Sequence, residues 1–118
     1  MTILQKNRKI IFAAERLSED ILRPMSFNQE TATERARQDL AGRLGIAESE
    51  IETLSVDEKE FSDMSLGATV GDEMAAQMIS YGWSINLNAD GKNYEYRGDK
   101  YQLRLVDFNG ANHMVKSY

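Results

Sequence analysis

The stretch Tyr81–Phe108, "YGWSINLNADGKNYEYRGDKYQLRLVDF", decides the fold. Trp83, Ile85, Leu87 and Ala89 alternate with Ser84, Asn86 and Asn88, the period of two expected of a strand with one buried face. Asp90-Gly91 follows, two residues that tolerate positive φ and so favour a tight hairpin. The return segment "KNYEYRG" sets Tyr94 and Tyr96 on one side and Glu95 and Arg97 on the other. Gly98-Asp99 turns the chain again, and Tyr101, Leu103 and Leu105 mark a last strand. The expectation is a three-stranded antiparallel meander.

Towards the N-terminus, "IETLSVDEKEF" (Ile51–Phe61) reads as a further strand with Leu54 and Val56 facing the core. Before it, Ala32, Ala36, Leu40 and Leu44 recur every four residues, one face of a helix. Several N-cap candidates lie between Asn28 and Thr33, and Gly45 stands where a left-handed C-cap is expected. An earlier stripe, Ile3, Ile10, Ala14, Leu17 and Ile21, predicts another helix that Pro24 ends. The predicted fold class is α+β, with N-terminal helices packed on one face of a small antiparallel sheet of about four strands. It divides into an N-terminal helix extension over 1–24, an α+β domain over 28–110 and a C-terminal tail over 111–118.

With 118 residues, 42% of them hydrophobic, and one proline, the chain suits a single folded domain. No apolar run approaches the roughly 20 residues of a membrane helix, and Ile10–Ala14 is too short for the core of an export signal. Absence of cysteine excludes disulfides, thiolate nucleophiles and cysteine-held metals, and fits a cytoplasmic location. The net charge of −5 is uneven: residues 45–75 carry nine acids and one lysine. That imbalance argues against a nucleic-acid partner and reads either as a solvated acidic loop or as a patch for a basic partner.

The catalytic inventory is small. His113, the one histidine, lies in a segment expected to fray, away from any recognisable serine–carboxylate arrangement. Carboxylate pairs such as Asp57 with Glu58, or Asp63 with Asp72, lie in polar surroundings that give no reason for their pKa values to split. "NLNADGKNYEYR" imitates a calcium loop, but Arg97 stands where the bidentate glutamate belongs. "GATVG" lacks the lysine and hydroxyl residue of a phosphate-binding loop. The chain is read as a non-enzyme, with no metal and no cofactor.

Between the two predicted sheet segments lies "EFSDMSLGATVGDEMAAQ", Glu60–Gln77, a long connection on a rigid frame. The first functional reading is a non-catalytic protein-interaction module that displays this loop to a protein partner, an inhibitor being one variant. Its candidate contact residues are Asp63, Met64, Ser65, Leu66, Gly67, Asp72 and Glu73. Within the loop, Leu66 is expected to plug into the core and Gly67 to need positive φ, while Met64, Met74 and Met78 are expected to fill gaps in the core. A second reading is a small-molecule site or small enzyme, with a pocket between helix and sheet lined by Trp83, Tyr94 and Tyr96. A third is a homo-oligomer, such as a homodimer, formed through the N-terminal helix.

The helix "RARQDLAGRLG", the "SLG" loop and the hairpin "YGWSINLNADGKNYEYRGD" together resemble a small bacterial and archaeal α+β domain of uncharacterised function. Its members run as an "AR.DLA.RLG" helix, a strand, an "SLG" loop, a "GY.I.L..GG..YEY" hairpin and a final strand. The resemblance spans about residues 34–106. Many such domains look secreted, some with cysteines near the loop. This chain instead has Ser65 and no cysteine, and Trp83 where tyrosine is usual. The resemblance implies the fold and brings no catalytic residues with it.

Overall fold

Asn28 starts helix α1 (Gln29–Leu44) with a reciprocal cap: its side chain accepts from Thr31 N at 2.8 Å, while its own N–H donates to Thr31 Oγ1 at 2.9 Å. Gly45, at φ 69°, ends the helix and donates to the Ala41 carbonyl at 2.9 Å. This is the computed structural model of the chain, and it describes residues 25–118 together with the backbone of Ile3–Leu4 and Lys6–Asn7, which pair in parallel. Apart from those four residues, the helix expected over residues 1–24 lies outside the described residues.

A short 3-10 turn, Glu48–Glu50, leads into five strands: β1 (Ile51–Phe61), β2 (Ser80–Ala89), β3 (Lys92–Asp99), β4 (Gln102–Phe108) and β5 (Ala111–Ser117). They pair in sequence order, all antiparallel. The described residues include one helix and a five-stranded antiparallel sheet, one strand more than the four or so expected. The additional strand is the segment 111–117, expected as a tail. Its turn, Asn109-Gly110, has φ of 54° and 84°, nearly repeating Asp90-Gly91 at 54° and 79°. Asn-Gly is itself a hairpin signature, and it extends the meander by one strand.

The helix rests on one face of the sheet. Phe27, Ala32, Ala36, Leu40 and Ala41 meet Ile51, Ile85, Leu87, Ala89, Tyr96, Leu103 and Leu105 in one core. Alanine at the contact lets α1 approach closely, and Gly98 on β3 leaves room for the Leu103 side chain beside it: a Cβ there would stand 3.1 Å from Leu103 Cδ1. Tyr96 is fully buried, and its hydroxyl donates to Asp39 Oδ2 at 2.8 Å, the oxygen that also receives Arg43 Nε at 2.7 Å. Burial first, and then the Asp39 carboxylate, push the Tyr96 phenol well above its ordinary pKa.

One expected core residue and one expected strand residue lie elsewhere. Leu54 is 46% exposed because the β1–β2 register shifts between Thr53 and Ser55, leaving Leu54 without an opposite residue. Tyr101 is exposed in the β3–β4 turn, one residue before β4 begins. Val56, in contrast, packs against the core as expected.

Candidate functional site

The long β1–β2 connection divides in two. Its first half, residues 62–73, folds back over the sheet face opposite α1. Strand alternation and register place Ser84, Glu95, Arg97, Gln102 and Arg104 on that second face. Three of these side chains reach carbonyls of the connection. Gln102 Nε2 donates to Met64 O at 2.7 Å, Arg97 Nη1 to Leu66 O at 3.0 Å and Arg104 Nη1 to Ala68 O at 2.9 Å. From β5, Asn112 Nδ2 donates to Thr69 O at 2.9 Å. Arg104 also grips Glu73 with both terminal nitrogens, at 2.6 and 2.8 Å.

Local chemistry shapes the connection before the clamp closes on it. Asp63 Oδ1 accepts from Ser65 Oγ at 2.6 Å, Ser65 N at 2.9 Å and Gly67 N at 3.3 Å, an Asx-type turn. Those bonds, with Ser65 Oγ foremost, hold the Asp63 carboxyl below its usual pKa. The chain reverses through Leu66 and Gly67, at φ 59° and 67°. At Gly67 the positive φ favours glycine, and a Cβ would stand 2.9 Å from Arg97 Nη1, so a side chain there would displace the guanidinium from the Leu66 carbonyl. Glu73 is held down to about 2, chiefly by Arg104 and then by the Val70 N–H.

The candidate contact residues therefore occupy different environments. Ser65 and Leu66 are buried, with Leu66 the expected plug. Asp63, Gly67 and Glu73 are bonded within the connection or to β4, and Met64 is half-buried with its N–H donating to Ala76 O at 3.0 Å. Asp72 is exposed.

The second half behaves differently. Met74 is 95% exposed, Met78 62% and Ile79 55%, and Tyr81 at the start of β2 is 70% exposed. Two of the three methionines expected in the core are thus on the surface. Their segment lies beyond the last clamp residue, Glu73, and has no sheet partner before Ser80 pairs with Phe61.

Trp83, Tyr94 and Tyr96 share a sheet face but are not gathered around one cavity. Trp83 lines a cleft of 460 Å³ with Glu58, Lys59, Glu60, Tyr81, Gly82 and Lys100. Tyr94 lines a smaller recess with Val106 and Phe108, and Tyr96 fills the core. His113 is half-buried, its ring edge-on to Phe108 with centroids 5.8 Å apart. Among the described residues, no group of three or more His, Asp or Glu side chains is placed to hold a metal ion, and no helix is long and apolar enough to cross a membrane.

The clamp residues Arg97, Gln102, Arg104 and Asn112 were not singled out from sequence. The available signal was a pair of arginines at positions where β3 and β4 alternate, Arg97 opposite Arg104. Two like charges side by side on a sheet need partners: Arg97 pairs with Glu95 on its own strand at 2.8 Å and reaches the Leu66 carbonyl, while Arg104 takes the Ala68 carbonyl and the Glu73 carboxylate.

No curated protein and no solved structure matches the chain. Residues 33–106 match the family described as "Domain of unknown function (DUF8738)", close to the span read from the helix, loop and hairpin motifs. That match takes in most of α1, the clamped connection and the sheet as far as Val106 in β4, and the chain belongs to this family.

Proposed function

We propose that this chain is a non-catalytic protein-interaction module whose contact surface is the second half of the β1–β2 connection, Met74–Ile79, continued by Tyr81. The observation that carries this reading is the exposure of Met74, Met78, Ile79 and Tyr81 beside a first half in which Asp63, Ser65 and Glu73 are engaged internally. A cluster of exposed large apolar residues on a folded domain marks a contact surface, and methionine adapts to varied partners. The clamp fits the same reading, because it fixes the start of the exposed segment at Glu73. An inhibitor that offers this segment to an enzyme is one form of such a module.

The test is photocrosslinking in the native host, with a photoreactive residue at Met78 and, as a control, at Lys92 in the β2–β3 hairpin. The expected result is a discrete adduct from Met78 that Lys92 does not give. The partner so identified should bind the purified chain and lose binding to the Met74→Asp, Met78→Asp double variant. Identical adducts from both positions, or a purified partner indifferent to the double variant, would overturn the reading.

A further inference from the structure

Among the described residues, the sheet is open at one edge, β1. We infer that the outer edge of β1 takes up an extended, lysine- or arginine-rich segment of a partner protein as a sixth strand, with one cationic side chain entering the Trp83 cleft. The inference rests on the interaction-module reading and names the chemistry of the partner.

Three observations carry it. First, β1 is terminal in the sheet and is 11 residues long. Among the described residues it ladders with β2, and no backbone hydrogen bond leaves its other side. An open row of donors and acceptors of that length is a template for an added strand. Second, the edge is charged with one sign. The strand carries Glu52, Asp57, Glu58 and Glu60 against one lysine, and that Lys59 lies over the Phe61 ring, 5.8 Å from its centroid. Third, the register aligns Glu58 with Trp83 and Glu60 with Tyr81, so carboxylates and aromatic rings line one cleft. Lys100 is the other cation among the residues lining it. Carboxylates beside aromatic faces suit an ammonium or guanidinium group, which gains from both.

Charge selects this occupant over a second copy paired through the same edge. An antiparallel β1–β1 pair would set acids against acids, and like charges across strands are destabilising. A head-to-tail pair is the other homotypic arrangement, since the β5 edge carries Lys116 and no acid. Acidic residues that merely keep the edge from pairing are the remaining alternative. All three differ from the proposal in what they predict for an added basic strand.

The probe is a ten-residue peptide alternating lysine with threonine and valine, titrated into the full chain and followed by ¹⁵N–¹H NMR. Expected are shift changes centred on β1, Tyr81 and Trp83, with new exchange protection of β1 amides that were unprotected in the free chain. Glu58→Lys with Glu60→Lys should weaken binding at least tenfold. N-methylating the peptide on its pairing edge, which keeps every charge, should abolish the new protection. Equal binding by the N-methylated peptide, no binding, or β1 amides already protected in the free chain would overturn the proposal. Concentration-dependent self-association that protects the same amides would do so too, assigning the edge to a second copy. The two readings fail separately. Met74→Asp with Met78→Asp leaves peptide binding at β1 intact, whereas Glu58→Lys with Glu60→Lys leaves the Met78 adduct of a partner held through Met74–Ile79 alone.

Discussion

The two faces of the sheet are covered by different means. Under α1 the contact is apolar and regular, with Ala32, Ala36 and Leu40 set against Ile85, Leu87, Leu103 and Leu105. On the opposite face the cover is a connection without regular structure, held by side chains that bond its carbonyls. Burial of Leu66 and Ala68 gives that cover a small apolar centre. The difference teaches that an irregular segment can serve as a layer of the fold when the sheet beneath supplies donors at the right spacing. Gln102 and Arg104 are two apart on β4, so they point the same way and reach carbonyls four residues apart, Met64 and Ala68.

The comparison is broken most forcefully from the helix side. Leu40→Ala removes a fully buried side chain whose neighbours, Ala36 and Ala41, are too small to close the gap. A loss of about 3–4 kcal/mol is expected, read as a fall of about 10 °C or more in Tm. Arg104→Met attacks the other face. It leaves the Ala68 carbonyl and the Gln102 amide oxygen without their partner and frees Glu73. Removing one member of a buried ion pair costs about 3–5 kcal/mol, but the Glu73 side chain is one-third exposed and rehydrates, so about 2–3 kcal/mol is expected. Hydrogen exchange distinguishes the two variants: Arg104→Met should release amides of residues 65–70 while those of α1 keep their protection. Loss of α1 protection in step with the connection would show that the faces are a single unit. The double variant sharpens the point. Sites on opposite faces with no shared partner should add to within about 0.5 kcal/mol.

The helix face was legible because its signal is periodic. Alanine and leucine every four residues, and apolar residues at every second position of β2, each specify a buried side without reference to anything distant. The second face was not legible for the same reason. Its bonds join Met64 to Gln102 and Thr69 to Asn112, residues about forty apart, and no local period records such pairs. Part of it could still be read. Leu66 and Gly67 follow from the Ser-Leu-Gly turn, and Asn109-Gly110 carries a hairpin signature that adds β5. Leu54 was misplaced because a bulge breaks the alternation on which its placement depended.

Acid should also separate the faces. Glu73 has its folded pKa depressed to about 2 from an ordinary 4.5, through Arg104 and the Val70 N–H, and Asp63 is lowered too. A depressed carboxyl contributes stability that is present above the unfolded pKa and lost as pH falls through the folded one. The connection should therefore loosen between about pH 4.5 and pH 2, seen as rising exchange of amides 65–70 relative to those of β2. Glu73→Gln should flatten that profile within the same window. A profile unchanged by Glu73→Gln would show that the Arg104 pair does not hold the segment.

The smallest expected effect bears most directly on function. Met74→Asp and Met78→Asp lie past the clamp, where the two residues are already 95% and 62% exposed. Neither change removes a packed group or an internal hydrogen bond in the described fold, so each should alter stability by no more than about 0.5 kcal/mol. That near-silence is informative because selection for folding alone gives no reason to place two methionines and an isoleucine there. A polar segment would span the same distance from Glu73 to Ser80 and would be less prone to associate. If chemical denaturation instead shows either variant to cost as much as about 2 kcal/mol, the segment is packed in solution and belongs with residues 62–73 as part of the layer. If stability holds while partner capture is lost, the boundary at Glu73 divides the connection into a part that completes the fold and a part that acts through it.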